Sequence, residues 1–168
     1  VAPRVSEARV NAEQAYDQMA PAIAMNASGG AVIAWVSDHG VLLDPADTEK
    51  SIFARFMAAD GTLTGTADTA VNTYHKDAQE YPAVGIAGSG GFVVAWQSIN
   101  QESTASGGEG SWGVFARRFT VDPATGTPLP TEAAEVPVNQ TVDGPQRFPA
   151  VGMDDSGRYT IAWQTIGQ

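Results

Sequence analysis

Cysteine is absent from this 168-residue sequence, which excludes disulfide staples, thiolate catalysis and thiolate metal sites without choosing a compartment. Basic residues are scarce: nine Lys and Arg stand against nineteen Asp and Glu, a net charge of −10. That balance opposes binding to nucleic acid and to anionic membrane surfaces, and it favours solubility and divalent cations. No apolar run approaches the roughly 20 residues of a membrane helix, so direct membrane insertion is not expected. The stretch VAPRVSEARV is too polar for the apolar region of a signal peptide, and an exported form is expected to have lost its signal.

Catalytic constellations are missing too. The two histidines, His39 and His75, fall in expected loops with no second histidine at metal spacing. There is no nucleophile elbow, no phosphate-cradling glycine pattern and no basic aromatic stripe. The acids lie mainly in expected loops, where nothing in the sequence pairs two of them as the acid and base of a glycosidase. We expect no enzymatic activity and no cofactor. A chain of this length buries about 68–70% of its unfolded surface and can build a core unaided.

What is present is repetition. Val10-Asn11 returns as Val71-Asn72 and Val138-Asn139, Gln18 as Gln79 and Gln146, Pro21 as Pro82 and Pro149, and Trp35 as Trp96 and Trp163, every marker offset by 61 and then 67 residues. Such self-similarity marks a repeat architecture. The units read as 12–72, 73–139 and the first half of a third at 140–168, with 1–11 as the terminal strand of a preceding unit, all within one continuous repeat domain.

Each unit reads as four strands. In the first, Pro21 to Met25, Ala22 and Ala24 share one face and Ile23 and Met25 the other, because strand side chains alternate. The same strand recurs at Pro82 and Pro149 with Ala83, Gly85, Ala150 and Gly152 opposite Val84, Ile86, Val151 and Met153. Small faces large each time, as expected where sheets converge. The next strands, Ala31–Trp35, Phe92–Trp96 and Tyr159–Trp163, are mostly apolar on both faces and are expected to be covered on both. The third, SIFARFM at 51–57, recurs as GVFARRF at 113–119, each followed by a glycine-containing turn. A fourth strand leads into the next Val-Asn pair. No stretch holds a helical period; TEAAEVPVN at 131–139 is broken by Pro137.

The sequence therefore predicts an all-β fold of four-stranded antiparallel units, repeated as blades of a partial β-propeller, with a β-sandwich as the alternative. The unit VNxxxxxxQxxPAVGIAxSGGFVVAWQS, followed by VFARRF and a turn with Asp and Gly, resembles the β-propeller-like repeats of very large secreted or cell-surface bacterial proteins, which often accompany RTX-type calcium-binding modules. A weaker similarity runs to integrin-type propeller repeats. The first resemblance covers nearly the whole chain and implies an exported, multi-repeat, non-catalytic protein, extracellular or at the cell surface, with the periplasm as another compartment. The integrin-type calcium loop is not matched, because NASGG and AGSGG stand at the corresponding turns without a carboxylate.

Calcium needs six to eight oxygen ligands. DDSGR, with Asp154 and Asp155, reads as a turn that caps its own backbone, and Asp38, Asp44, Asp47 and Glu49 read as a solvated hairpin loop, the alternative being a binding loop for calcium or carbohydrate. Its counterpart keeps Glu102 and Glu109. Trp112, in an otherwise polar loop, is a candidate contact residue. Gln18, Gln79 and Gln146 are expected to bond backbone at the bend between units, the alternative being a ring of amides around a ligand. Arg55 and Arg117 are expected in interblade packing, with anion binding as the alternative, and Trp35, Trp96 and Trp163 in the core. Asn26-Ala27-Ser28 and Asn139-Gln140-Thr141 match the glycosylation pattern.

One strand, two sets of four and a final two do not close a ring. We expect further repeats of the same polypeptide, or other protein chains, to cover the open faces. The function expected is a structural or interaction module in protein assembly or adhesion; the alternative is recognition of carbohydrate or calcium on the loop-rich face.

Overall fold

The structure, a computed structural model, describes residues 7–38, 49–102 and 111–167. Among them the chain is all-β, with antiparallel sheets and no helix. Strands β1 (Gln18–Met25), β2 (Ala31–Ser37), β3 (Ser51–Met57) and β4 (Thr69–Ala70) form one sheet in that order. Strands β5 (Gln79–Ile86), β6 (Phe92–Ile99), β7 (Trp112–Val121) and β8 (Pro128–Pro130) form a second, with β9 (Val136–Pro137) also on β7. Strands β10 (Gln146–Met153) and β11 (Tyr159–Thr165) form a third. Of residues 1–11, 7–11 carry no strand pairing, and 1–6 lie outside the described residues.

The repeated sequence gives repeated hairpins. Asn26, Ala87 and Asp154 each donate a backbone N–H to the carbonyl four residues on, at 2.9, 2.8 and 2.9 Å. The turns hold Gly29, Gly90 and Gly157 at φ of 91°, 89° and 86°, a region that glycine enters without steric cost. Asp154 caps its own turn, its Oδ1 accepting from the Ser156 and Arg158 amides, as the sequence led us to expect.

The first strand of each unit begins at the glutamine, three residues ahead of the proline where the sequence placed its start. The extra residues are held by a β-bulge between Met19 and Ala22, Glu80 and Ala83, and Arg147 and Ala150. At each bulge the residue before the proline sits in the left-handed region: Ala20 at φ 49°, Tyr81 at 53° and Phe148 at 54°. Proline has no N–H to give the ladder, so pairing is interrupted there in any case and the bulge absorbs the mismatch.

The sheets pack face to face in chain order, large side chains on small. Val84, Ile86, Val94 and Trp96 of the second unit join one cluster with Ala22, Ala24, Ala34 and Ala54 of the first, together with Val32, Val36 and Ile52. Val151, Met153 and Ile161 of the third pack against Val93, Ala95 and Ala116 of the second. Side chains such as Ile52 and Val94, fully buried here, each contribute about 1.5–3 kcal/mol by leaving water. Gly85 makes the close approach possible: a Cβ there would lie 2.8 Å from side-chain carbons of both Val151 and Met153. The bulky face of one unit thus seats on the small-residue face of the unit before it.

Candidate functional site

The repeated polar residues converge on the connectors between units. Val71 and Asn72 extend the strand ladder after β4: the Val71 amide donates to Ile52 O at 2.9 Å, and the Ile52 amide donates to Asn72 Oδ1 at 2.7 Å. Val138 and Asn139 repeat this against Val114, at 2.8 Å in both bonds. The asparagine side chain substitutes for a backbone carbonyl and lets the chain leave the sheet without orphaning a buried amide. Its other end turns into the connector, where Asn72 Nδ2 donates to Tyr74 O at 2.8 Å and Asn139 Nδ2 to Thr141 O at 3.0 Å.

The following unit grips that connector with an arginine. Arg55 donates to Val10 O at 2.9 Å and, through its second nitrogen, to Thr64 O and Gly65 O. Arg117 donates to Val71 O at 2.9 Å and to Glu132 O and Ala133 O. Both guanidinium groups are buried, and Arg117 also lies over the Phe119 ring, 5.7 Å from its centroid. These arginines are joints between units: both terminal nitrogens of each face carbonyl oxygens, while each Nε is buried without a hydrogen-bond partner among the described residues.

A carboxylate completes the grip. Asp68 accepts the amides of Ala12 and Glu13 at 2.9–3.1 Å; Glu135 accepts those of Thr73 and Tyr74 at 2.9 Å, along with the Thr73 hydroxyl and the Gln101 amide. Burial alone would raise the Glu135 carboxyl, but the hydrogen bonds from Thr73 and Tyr74 outweigh it and hold the group below the usual carboxylate range. The sequence pattern did not single out this pair. Asp and Glu differ in type, which hides the pair, but each stands three residues before the valine of a Val-Asn marker, Val71 or Val138, and that is the available signal.

Gln79 and Gln146 are buried, and their amide nitrogens donate to Lys76 and Asp77 carbonyls, and to Asp143 and Gly144 carbonyls, at 3.0–3.2 Å. Gln18 is half-buried and reaches Ala15 O and Ser37 Oγ. The glutamines hold the bends rather than line an open ring.

Trp35 and Trp96 lie in the core, whereas Trp163 is 37% exposed, with its indole N–H donating to Gln146 Oε1 at 3.1 Å. This departs from the expectation of three core tryptophans, and the cause is topological: β2 and β6 are flanked on both sides, while β11 pairs only with β10 among the described residues. Trp112 is also relocated. It opens β7, is half-buried opposite Ile99, and lies beneath the Arg147 guanidinium of the next unit at 5.0 Å. It braces a joint instead of standing in a free loop.

Asp38 and Glu49 are exposed near the same end of the first sheet; Asp44 and Asp47, like His39 and Glu109, lie outside the described residues. Among the described residues no three of His, Cys, Asp and Glu gather as metal ligands would. His75 stands 3.5 Å from the Asn72 amide. Glu102 is buried, its carboxyl pushed up by burial against the opposing effect of a hydrogen bond from Asn139. Both sequon asparagines, Asn26 and Asn139, are buried with bonded amides, so a glycan on either would displace structural hydrogen bonds.

Among the described residues, two open surfaces bear on the joints. The first is at the ends of the stack: Ile23 and Met25 are 63% and 62% exposed on the bulky face of the first unit, and a Cβ on Gly152 of the third unit would meet nothing within 4 Å. The second is the free edge of β11, beside a cavity of about 300 Å³ bounded by Val138, Gln140, Thr141, Gln146, Trp163 and Thr165. Comparison with known proteins finds no matching family model, no matching curated protein and no matching solved structure.

Proposed function

We propose that this chain is a non-enzymatic structural and interaction module of propeller type, belonging to an extracellular or cell-surface protein, that acts by stacking onto further units of its own kind. The observation that carries this reading is the joint itself. It occurs twice within the chain, bulky face on small face, and each of its halves is also left exposed at one end. Met25 and Ile23 are the counterparts of Met153 and Val151, and Gly152 and Ala150 are the counterparts of Gly85 and Ala83, which those side chains cover. A copy docking by the same operation makes a head-to-tail contact, which repeats into a ring or an open filament according to whether the rotation closes. Face-to-face packing of repeated antiparallel sheets, with small residues on the innermost strands, supports blades rather than a two-sheet sandwich. The acidic surface and the likeness to repeats of large secreted proteins support the location and a role in assembly or adhesion.

Because the chain has no cysteine, the contact is testable by cross-linking. A variant carrying both Met25→Cys and Gly152→Cys should form disulfide-linked dimers and ladders under mild oxidation, while each single variant should not form ladders. Ladder-free double variant protein that remains folded would refute the stacking mode.

A further inference from the structure

We propose that the free edge of β11 is an acceptor site for an incoming β-strand of defined chemistry: an aliphatic residue, then Phe-Ala-Arg, with a carboxylate shortly before a short closing strand. This rests on the stacked-unit reading and names what one of those surfaces takes. The two complete units serve as internal templates. In the first, Trp35 stands opposite Phe53, Ala34 opposite Ala54 and Ile33 opposite Arg55. In the second, Trp96 stands opposite Phe115, Ala95 opposite Ala116 and Val94 opposite Arg117. The third unit offers the same row, Trp163, Ala162 and Ile161, with no strand beside it among the described residues.

The anchors for that strand are also in place. In both templates the arginine donates to the valine carbonyl of the connector, Val10 or Val71, and the carboxylate accepts the amides two and three residues beyond it. The corresponding groups of the third unit are Val138 O and the amides of Gln140 and Thr141, and they border the cavity beside Trp163. No described side chain reaches them. Exposure of the tryptophan reports the difference: 5% for Trp35, 0% for Trp96 and 37% for Trp163. An antiparallel strand in this register bonds the edge of β11 through its backbone, covers Trp163 with its phenylalanine and places its guanidinium on Val138 O. Backbone pairing supplies affinity and the Phe and Arg positions supply selectivity, the division found in strand addition generally.

The probe is a synthetic peptide with the sequence of residues 49–72, which contains Phe53, Ala54, Arg55 and Asp68. It is added to the Met25→Lys variant of the whole chain, so that stacking between copies does not obscure the readout. Calorimetry should give one saturable site, and of the four indole N–H signals in a nitrogen–proton spectrum the Trp163 signal should move most. The peptide with Arg55→Ala should bind about tenfold more weakly or worse, as expected for losing a charged donor to a desolvated carbonyl. No binding at about 1 mM peptide, equal binding by a scrambled or arginine-free peptide, or a Trp163 signal that moves with protein concentration alone because copies already cap one another's edges, would each overturn the proposal. Cross-linking through Met25 and Gly152 is independent of this edge, so failure here leaves the stacking result to be judged separately.

Discussion

The Arg117 guanidinium donates to the Val71 carbonyl oxygen at 2.9 Å, across 46 residues of chain, and Arg55 makes the same bond to Val10 one unit earlier. In each case a buried cation of one unit closes the connector leading into it. Replacing Arg117 by Ala leaves the Val71, Glu132 and Ala133 carbonyls without their shared donor, and the expected cost is about 1.5–3 kcal/mol. Arg117→Lys should recover little, because one ammonium cannot reproduce the fork that spans three carbonyls. Urea unfolding should show a lower midpoint for both variants at unchanged slope; an unmoved midpoint would mean that the clamp is idle.

Two glycines at equivalent positions should respond oppositely to the same change. Gly85→Ala drives a methyl to 2.8 Å from side-chain carbons of Val151 and Met153, and overpacking of this kind costs about 1–3 kcal/mol. In the Met25→Lys background, where copies do not stack on that face, Gly152→Ala meets open space and should be neutral or mildly stabilising, so both glycine variants are compared in that background. Thermal melts of the two variants in parallel check the expectation, and equal effects would contradict the packing of the joint.

The tryptophans separate in the same manner. Trp96→Ala empties a fully buried site and should cost about 3–5 kcal/mol. Trp163→Ala should cost well under half of that, since the ring is partly in water already. Acrylamide quenching of single-tryptophan variants gives an independent reading: Trp163 should be quenched readily and Trp96 scarcely at all.

Much of this arrangement is legible in the sequence because it is repeated. The Val-Asn, Gln, Pro and Trp markers keep step through three units and a hairpin recurs with them, and the repeated Arg55 and Arg117 both bond connector carbonyls. Other features escape for physical reasons. The strand start at Gln79 is hidden by Tyr81-Pro82, which reads as a break until the bulge is seen to carry the strand across it. The partnership of Glu135 with Thr73 and Tyr74 escapes because its counterpart is Asp68, a different residue type, so a search for repeated identities passes over it. Trp112 reads as a loop residue because its neighbours are polar, yet pairing opposite Ile99 and the guanidinium of Arg147 determine its place.

The Glu135 clamp also predicts a pH dependence. Its carboxyl is held below the usual carboxylate range in the folded protein, so its contribution to stability is present above the unfolded value and is lost as pH falls through the folded one. Stability followed by urea unfolding from neutral pH down through the carboxylate range should therefore fall less steeply for Glu135→Gln than for the wild type. Parallel curves would remove Glu135 from the account.

The central claim, that the chain presents both halves of its own internal joint, is tested most directly by the mass of the native protein in solution. Light scattering over a rising concentration series should give a mass-average that climbs above the 17.5 kDa of one chain, while Met25→Lys and Gly152→Arg each hold the protein at the single-chain mass. A cooperatively melting wild-type protein that stays at 17.5 kDa throughout the series would contradict it.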